Sequence, residues 1–170
     1  MKFDLKLHKY LLMMILFFSC ANHKENHLSL SPLFSDGMVL QRDAVVPVWG
    51  TINPRKKVGI QTSWGAQGFV KADNGGKWII EISTIDDFGP HTITVYSGND
   101  TIKVNDVLLG EVWLAAGQSN MEMDFEYCCN TTDNSYEEIS SANFPNLRMF
   151  SVKKHLSYKP AYRLDGSWEK

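Results

Sequence analysis

Between residues 28 and 106 the chain is a series of short runs in which apolar and polar residues alternate. Alternation with a period of two is typical of strands that bury one face, and no helical periodicity stands between the runs. Turn-forming residues separate them, most clearly at 73–76, where an Asn-Gly pair tolerates the positive φ angles of tight hairpins. The pattern predicts strands at Met38–Gln41, Ala44–Thr51, Val58–Thr62, Gly68–Ala72, Lys77–Ile82, His91–Tyr96 and Thr101–Val104. Short strands at such close spacing favour a compact antiparallel β-sandwich over 28–106.

The character of the chain changes after residue 106. Val107–Ala116 is a more continuous apolar run, which is the pattern of a strand covered on both faces. We interpret it as the first strand of an α/β domain over 107–170, in which ligands sit beyond the carboxyl ends of the strands. A short helix at Glu137–Ile139 and a second strand at Leu147–Val152 are the further elements predicted there. The predicted fold class is mixed: an antiparallel β-sandwich-like module followed by the incomplete start of an α/β domain.

A serine follows the apolar run directly, in the sequence Gly117-Gln118-Ser119-Asn120-Met121. Glycine before a turn lets the backbone bend sharply and brings main-chain N–H groups close to a bound substrate. Ser119 is therefore a candidate nucleophile for acyl transfer. The polar residues on either side of it, Gln118 and Asn120, are candidate substrate-binding residues. The alternative is that Ser119 only caps the helix that follows, because serine is a preferred residue at helix N-termini.

Four blocks stand in a fixed order along the chain: Leu33–Arg42 (LFSDGMVLQR), Val46–Gly50 (VPVWG), Asp106–Leu114 (DVLLGEVWL) and Gly117–Glu122 (GQSNME). In this order and spacing they resemble the start of the sialate O-acetylesterase family, which is of the SGNH hydrolase type. The resemblance covers about residues 28–125. It implies an SGNH hydrolase-like catalytic domain in which Ser119 attacks an acetyl ester on a sugar hydroxyl. Acetylated sialic acid, or another acetylated glycan, is the substrate that it implies.

The resemblance also implies what the 170 residues lack. In that family the Asp and His of the catalytic triad share a motif far toward the C-terminus, and further oxyanion donors, a Gly and an Asn, lie on later loops. None of these lies in the matched region, so we expect an N-terminal fragment that is inactive alone. The N–H of Ser119 itself would be one oxyanion donor. The remaining candidate base, His155, matches no catalytic position of the family and is expected to be an exposed loop residue.

Composition and the positions of the aromatic residues limit which other functions the chain can have. The formal net charge of -2 and the pI near 6.2 give no basic footprint for nucleic acid, and we expect neither a metal nor another cofactor. The alternative function is a non-catalytic carbohydrate-binding or structural β module at the cell surface, with a vestigial nucleophile strand. Aromatic faces suit the C–H faces of sugar rings. Trp49, Trp78 and His91 lie in predicted strands and are expected to be structural, whereas Trp64 lies in a predicted loop and is a candidate for ligand contact.

The first residues, 1–20, resemble a lipoprotein-type signal peptide. Basic residues precede an apolar run at 11–18, which is shorter than the roughly 20 residues of a spanning helix. A small residue directly before Cys20 resembles a bacterial lipobox, in which the cysteine is lipidated and becomes the mature N-terminus. Residues 21–27 would then be a tether, and the N-terminal lipid would be the only membrane contact of a periplasmic or cell-surface lipoprotein. The alternative is a cleaved signal and a soluble secreted protein.

Replacing Cys20 with Ala should release the protein from membranes, because lipid on Cys20 is the membrane contact that the sequence predicts. One acyl chain anchors a protein only marginally and two or more anchor it stably. Fractionation of expressing cells measures this. Ser19→Ala keeps a small residue before the cysteine and should leave the fractionation unchanged. Membrane association that persists in Cys20→Ala would contradict the lipidation.

Overall fold

The computed structural model describes residues 27–123 and 133–170, and Cys20 therefore lies outside the described residues. Within these ranges the chain is dominated by β-strands. The strands are β1 (Ser29–Leu30), β2 (Val39–Gln41), β3 (Val45–Thr51), β4 (Lys57–Thr62), β5 (Gln67–Lys71), β6 (Lys77–Ser83), β7 (His91–Ser97), β8 (Asp100–Gly110), β9 (Met149–Val152) and β10 (Gly166–Glu169). A 3-10 helix covers Ser119–Glu122 and a short α-helix, α1, covers Ser135–Ser141. No helix in the described ranges has the length and apolar character needed to cross a membrane.

The first eight strands form two sheets. β1, β3 and β6 form an antiparallel three-stranded sheet, and β2, β8, β7, β4 and β5 form a five-stranded sheet in that order. The five-stranded sheet is antiparallel except at its edge, where β2 pairs parallel to β8. The seven strands predicted between residues 38 and 104 are confirmed, whereas the prediction of a purely antiparallel module is wrong at this edge. β2 and β8 are distant in sequence, so their pairing leaves no local signal.

Both sheets bury one face in a common hydrophobic core. Every second residue is buried along two of the strands, namely Trp78, Ile80 and Ile82 in β6 and Ile93 and Val95 in β7. Full burial of a large apolar side chain contributes about 1.5–3 kcal/mol, so this alternation stabilises the module. The expectation that Trp78 belongs to the core is confirmed. Trp49 is only partly buried, and its ring packs edge-on against Phe34 with centroids 4.6 Å apart.

The predicted Asn-Gly turn forms between β5 and β6, but it is a corner between the two sheets and not a hairpin. Asp73 Oδ1 accepts hydrogen bonds from the N–H groups of Gly75 and Lys77, both at 2.8 Å. Gly76 has a φ of +80°, and a Cβ there would lie 2.1 Å from the carbonyl oxygen of Ile52. Only glycine fits this corner, because any side chain would collide with the backbone that follows β3, the partner of β6 in the same sheet.

Strand β8 crosses the predicted domain boundary at residue 106. It runs over Asp100–Gly110 as one strand, so the β module extends beyond the boundary that the sequence predicted. Residues 107–109 are buried in the core, and β2 pairs with the end of the strand. The predicted continuation of the strand is wrong beyond this element, and Trp113 and Leu114 are 87% and 93% exposed. An apolar run does not show which sheet its residues complete, and here the buried residues 107–109 complete the five-stranded sheet of the β module.

The strands β9 and β10 pair antiparallel and pack on the β module. The indole N–H of Trp168 in β10 donates to the carbonyl of Leu33 at 2.8 Å. Arg148, next to β9, donates to the carbonyl and the carboxylate of Asp106, and Lys170 forms a second ion pair with this carboxylate. The predicted second strand is confirmed as β9 and the predicted short helix as α1, whereas β10 is an addition that the sequence pattern did not indicate.

Asp106→Asn should reduce the loss of stability at acid pH. Hydrogen bonds from Lys170 and Arg148 hold the pKa of the Asp106 carboxyl below its usual value. A carboxyl whose pKa is lowered by folding stabilises the fold above its unfolded pKa near 4, and this contribution is lost as the pH falls through the folded value. Urea unfolding at neutral pH and at about pH 3 should show a larger loss in the native chain than in the variant.

The substitution adds no backbone strain, because asparagine tolerates the left-handed conformation that Asp106 adopts at φ 54°. Asp43→Asn is the matched control, since Asp43 also has a positive φ, of 48°. Its carboxylate forms no ion pair within the described residues, so this variant should keep the acid sensitivity of the native chain. An equal loss of stability in the native chain and in Asp106→Asn would contradict the role of the Asp106 carboxylate.

Candidate active site

The segment that carries Ser119 leaves strand β8 without regular secondary structure over residues 111–117 and then turns tightly. The N–H of Met121 donates to the carbonyl of Gln118 at 2.9 Å, and Ser119 is the first residue of the 3-10 helix. A Cβ at Gly117 would lie 2.5 Å from Cγ of Met121. Glycine at this position therefore lets the turn close, which is the local role that the sequence predicted for it.

The hydroxyl of Ser119 is solvent-exposed and has no hydrogen-bond partner in the part of the chain that the structure describes. The alternative of a serine that caps the following helix requires a bond from this hydroxyl to a backbone N–H, and no such bond joins the described residues. Gln118 is also exposed beside it. Asn120 belongs to the same 3-10 helix, and its side chain lies outside the described atoms. Ser119 thus lies at the surface of the part of the chain that the structure describes.

A cluster of polar side chains fixes the start of this segment at the edge of the five-stranded sheet. Because β2 and β8 are parallel, the residues at their ends lie side by side: Gln41, the last residue of β2, and Arg42 lie beside Glu111, which follows β8. Gln41 Nε2 and Arg42 Nε each donate to the Glu111 carboxylate at 3.0 Å. Gln41 Oε1 accepts the backbone N–H of Val112 at 3.0 Å, and Arg42 also pairs with Asp86 at 2.7 Å. We call Gln41, Arg42 and Glu111 the exit cluster.

The charged groups of the exit cluster stabilise each other in their charged forms. Hydrogen bonds from Gln41 and then Arg42 lower the pKa of Glu111, and hydrogen bonds to Glu111 and Asp86 raise the pKa of Arg42. The charged side chains of Arg42, Asp86 and Glu111 are solvent-exposed, so the ion pairs contribute little to global stability. The ion pairs set the direction in which the chain leaves β8, because they hold the first residue after β8 against β2. Sequence reasoning assigned the cluster no role, although its members lie in the blocks of family resemblance and at the ends of two strands.

The histidines of the described part do not bond to Ser119. His155 is exposed, as expected. His91 is buried at the start of β7, where Nε2 lies 2.8 Å from the carbonyl of Asp87 and Nδ1 lies 3.1 Å from the hydroxyl of Ser63. A carbonyl only accepts, so Nε2 carries the proton and Nδ1 accepts from Ser63. This contact joins β7 to the loop after β4, and the expectation that His91 is a strand residue is confirmed.

Trp64 was the candidate for ligand contact. In the structure its side chain contacts other residues of the β module. Its indole N–H donates to the carbonyl of Ser83 at 2.8 Å, and its ring packs edge-on against His91 with centroids 5.2 Å apart. Both the indole N–H and the ring of Trp64 therefore make contacts within the β module. Among the described residues, no group of His, Cys, Asp and Glu side chains could hold a metal ion.

Comparison with known proteins defines the class of protein to which this fold and site are related. A carbohydrate acetylesterase from Xanthomonas citri superposes with a TM-score of 0.73 and 36% identity over 83% of this chain and 32% of that protein. The sialate O-acetylesterase of Mus musculus is 31% identical over 125 residues, and that of Rattus norvegicus is 30% identical over 146 residues. These alignments cover 68% and 78% of this chain. No protein-family model matches the chain.

The matched part of the chain belongs to the sialate O-acetylesterase family. The chain spans about a quarter of the length of these curated relatives, 23% of the mouse protein and 26% of the rat protein. The resemblance read from the sequence blocks is thereby confirmed.

Gln41→Ala should expose the backbone at the exit of β8, because it removes the acceptor of the Val112 N–H. Loss of one hydrogen bond costs about 1 kcal/mol, which corresponds to an increase of about fivefold in the rate of amide hydrogen exchange. Exchange followed by NMR measures this at Val112. Gln67→Ala removes an exposed glutamine from β5 and should leave the Val112 rate unchanged. An unchanged rate in Gln41→Ala would show that the side chain does not hold this segment.

Proposed function

We propose that this chain carries the nucleophile of a carbohydrate O-acetylesterase that removes acetyl groups from sugar hydroxyls, with acetylated sialic acid as the substrate class. The observation that carries the proposal is the exposed and unbonded hydroxyl of Ser119, on a tight turn that follows the exit cluster. The names of the relatives support the substrate class, since they are sialate O-acetylesterases and a carbohydrate acetylesterase. Residues after β8 would then form the start of an SGNH-type catalytic domain.

The reaction follows from the chemistry of a serine ester hydrolase. Oγ of Ser119 attacks the acetyl carbonyl while a base takes the hydroxyl proton, and the sugar hydroxyl leaves with a proton from that base. Water then attacks the acetyl-serine, releases acetate and restores the serine. We assign the Ser119 N–H as one donor to the oxyanion, and Gln118 and Asn120 as contacts for the sugar. The base and the other donors have no counterpart beside Ser119 among the described residues, so we propose that these 170 residues are inactive alone.

The alternative function is a carbohydrate-binding or structural β module without catalysis. The observation in its favour is the absence of a described histidine bonded to Ser119, because a serine hydroxyl without a base is a weak nucleophile. The two functions differ in what Ser119 contributes, and an activity measurement on a complete enzyme separates them. Export and lipidation at Cys20 are further proposals, and they rest on the sequence alone.

Ser119→Ala should abolish acetate release from a chimeric esterase that contains residues 28–123 of this chain. Residues 28–123 can be placed in the Xanthomonas citri acetylesterase in exchange for the segment that superposes on them, which supplies the rest of a catalytic domain. Loss of a triad nucleophile lowers turnover by about a million-fold, so the variant should fall to the background rate. Release of acetate from an acetylated sugar measures the effect.

Ser63→Ala is the matched control, because Ser63 is the serine whose hydroxyl does bond to a histidine, His91. It should retain the acetate release of the parent chimera. Activity that survives Ser119→Ala, or that disappears in Ser63→Ala with the fold intact, would contradict the assignment. Purified residues 21–170 should release no acetate, and saturable turnover lost in both Ser119→Ala and His155→Ala would overturn the proposed inactivity.

A further inference from the structure

The outer face of the five-stranded sheet carries an ordered row of residues. These residues are distant in sequence from the candidate active site. Phe69 of β5 pairs with Gly59 of β4, Gly59 with Tyr96 of β7, and Tyr96 with Thr101 of β8. Their neighbours along β4 and β7 are buried in the core, so these four residues point outward. Phe69 is 56% exposed and Tyr96 is partly exposed. We call Phe69, Gly59, Tyr96 and Thr101 the aromatic row.

The two rings of the aromatic row are held in place. A Cβ at Gly59 would lie 2.5 Å from Cζ of Tyr96, so the tyrosine ring lies directly across the glycine. The rings of Phe69 and Tyr96 meet edge to face with centroids 6.2 Å apart, and Lys57 Nζ lies 4.5 Å from the centroid of Phe69. Rings fixed by their neighbours lose little further freedom when a ligand binds, which favours a binding surface over a solvated face.

The residues around the aromatic row are polar, and those that are charged are all positive. Lys57 pairs with Lys71 on one side of the row, and on the other side the paired positions are Gln67, Gln61, Thr94 and Lys103. These outward positions carry three lysines and no carboxylate, although the chain as a whole has a net charge of -2. An anionic ligand with many hydroxyl groups matches this pattern of lysines, amides and a hydroxyl.

We propose that this face is a binding site for a carboxylated sugar chain, separate from Ser119. The C–H face of a pyranose ring stacks on the Tyr96 ring, with the Phe69 ring nearly perpendicular beside it, because the negative face of an aromatic ring attracts polarised hydrogens. Carboxylates of successive sugars are neutralised by Lys57 on one side of the row and by Lys103 on the other, and sugar hydroxyls bond to Gln61 and Thr94. Two rings in a polar surround are too little apolar surface for a protein interface, which is marked by larger contiguous patches.

Titration of the complete chain with soluble polymers tests the proposal. Polysialic acid and polygalacturonate supply the carboxylate from two different sugars, and dextran supplies hydroxyls without charge. Both carboxylated polymers should bind, with affinity that falls as salt is added, and dextran should bind more weakly. Tighter binding of polysialic acid would assign the site to sialic acid, and equal binding would assign it to the carboxylate itself. No saturable binding of either carboxylated polymer would overturn the proposal.

Variants locate the binding on the sheet. Phe69→Ala should weaken binding by about three- to tenfold, which is the range of one aromatic contact. Gly59→Ala should have a similar effect by lifting the Tyr96 ring, and Lys57→Gln should reduce the salt dependence. Ile79→Ala removes an equally exposed apolar side chain from the other sheet, and Lys153→Gln removes an exposed charge outside the five-stranded sheet, so both should bind normally. Native affinity in both Phe69→Ala and Lys57→Gln would overturn the proposal, whatever the outcome for Ser119.

Discussion

The parallel pairing of β2 with the end of β8 is the contact on which the arrangement of the candidate site depends. Only three residues of β2 take part in it, from Val39 to Gln41. Parallel strands end at the same edge of a sheet, so the residues that follow both strands meet there. The exit cluster forms at this edge, and it determines the direction in which the chain continues toward Ser119. An antiparallel pairing of β2 would direct Gln41 and Arg42 to the opposite end of β8.

The β module supports this edge through its core. The alternating strands β6 and β7 bury their apolar residues between the two sheets, and glycine is required where backbones approach closely, as at the corner near Gly76. Strands β9 and β10 add a further contact through Arg148, Trp168 and Lys170. The module therefore presents two separate surfaces on one scaffold: the edge that leads to Ser119, and the outer face that carries the aromatic row.

The two proposals use these surfaces differently. Ester hydrolysis needs a base and oxyanion donors around Ser119, and its rate depends on their positions to within about 0.5 Å. Binding of a sugar chain to the aromatic row needs only rings and charges that the described residues already hold in place. A module that binds an anionic glycan and also leads into a catalytic segment would keep a polymeric substrate near the serine, because linked sites raise the effective concentration of substrate.

Local patterns in the sequence determined much of the fold. Alternation along β3 to β7 follows from the two-residue period of a strand, and it indicated those strands before their partners were known. The Gly117–Met121 turn and the candidate nucleophile within it were likewise readable, because a tight turn needs glycine at a particular place. The resemblance of four blocks to one family was enough to identify the class of protein.

Only the tertiary structure decided which strands are neighbours and which apolar residues are covered. Val107–Ala116 has one apolar pattern, yet its beginning is buried in the five-stranded sheet while Trp113 and Leu114 are exposed. The exit cluster and the aromatic row join residues from distant parts of the chain, such as Gln41 with Glu111 and Phe69 with Tyr96. No local pattern specifies such contacts, because strand order depends on how whole sheets share one core.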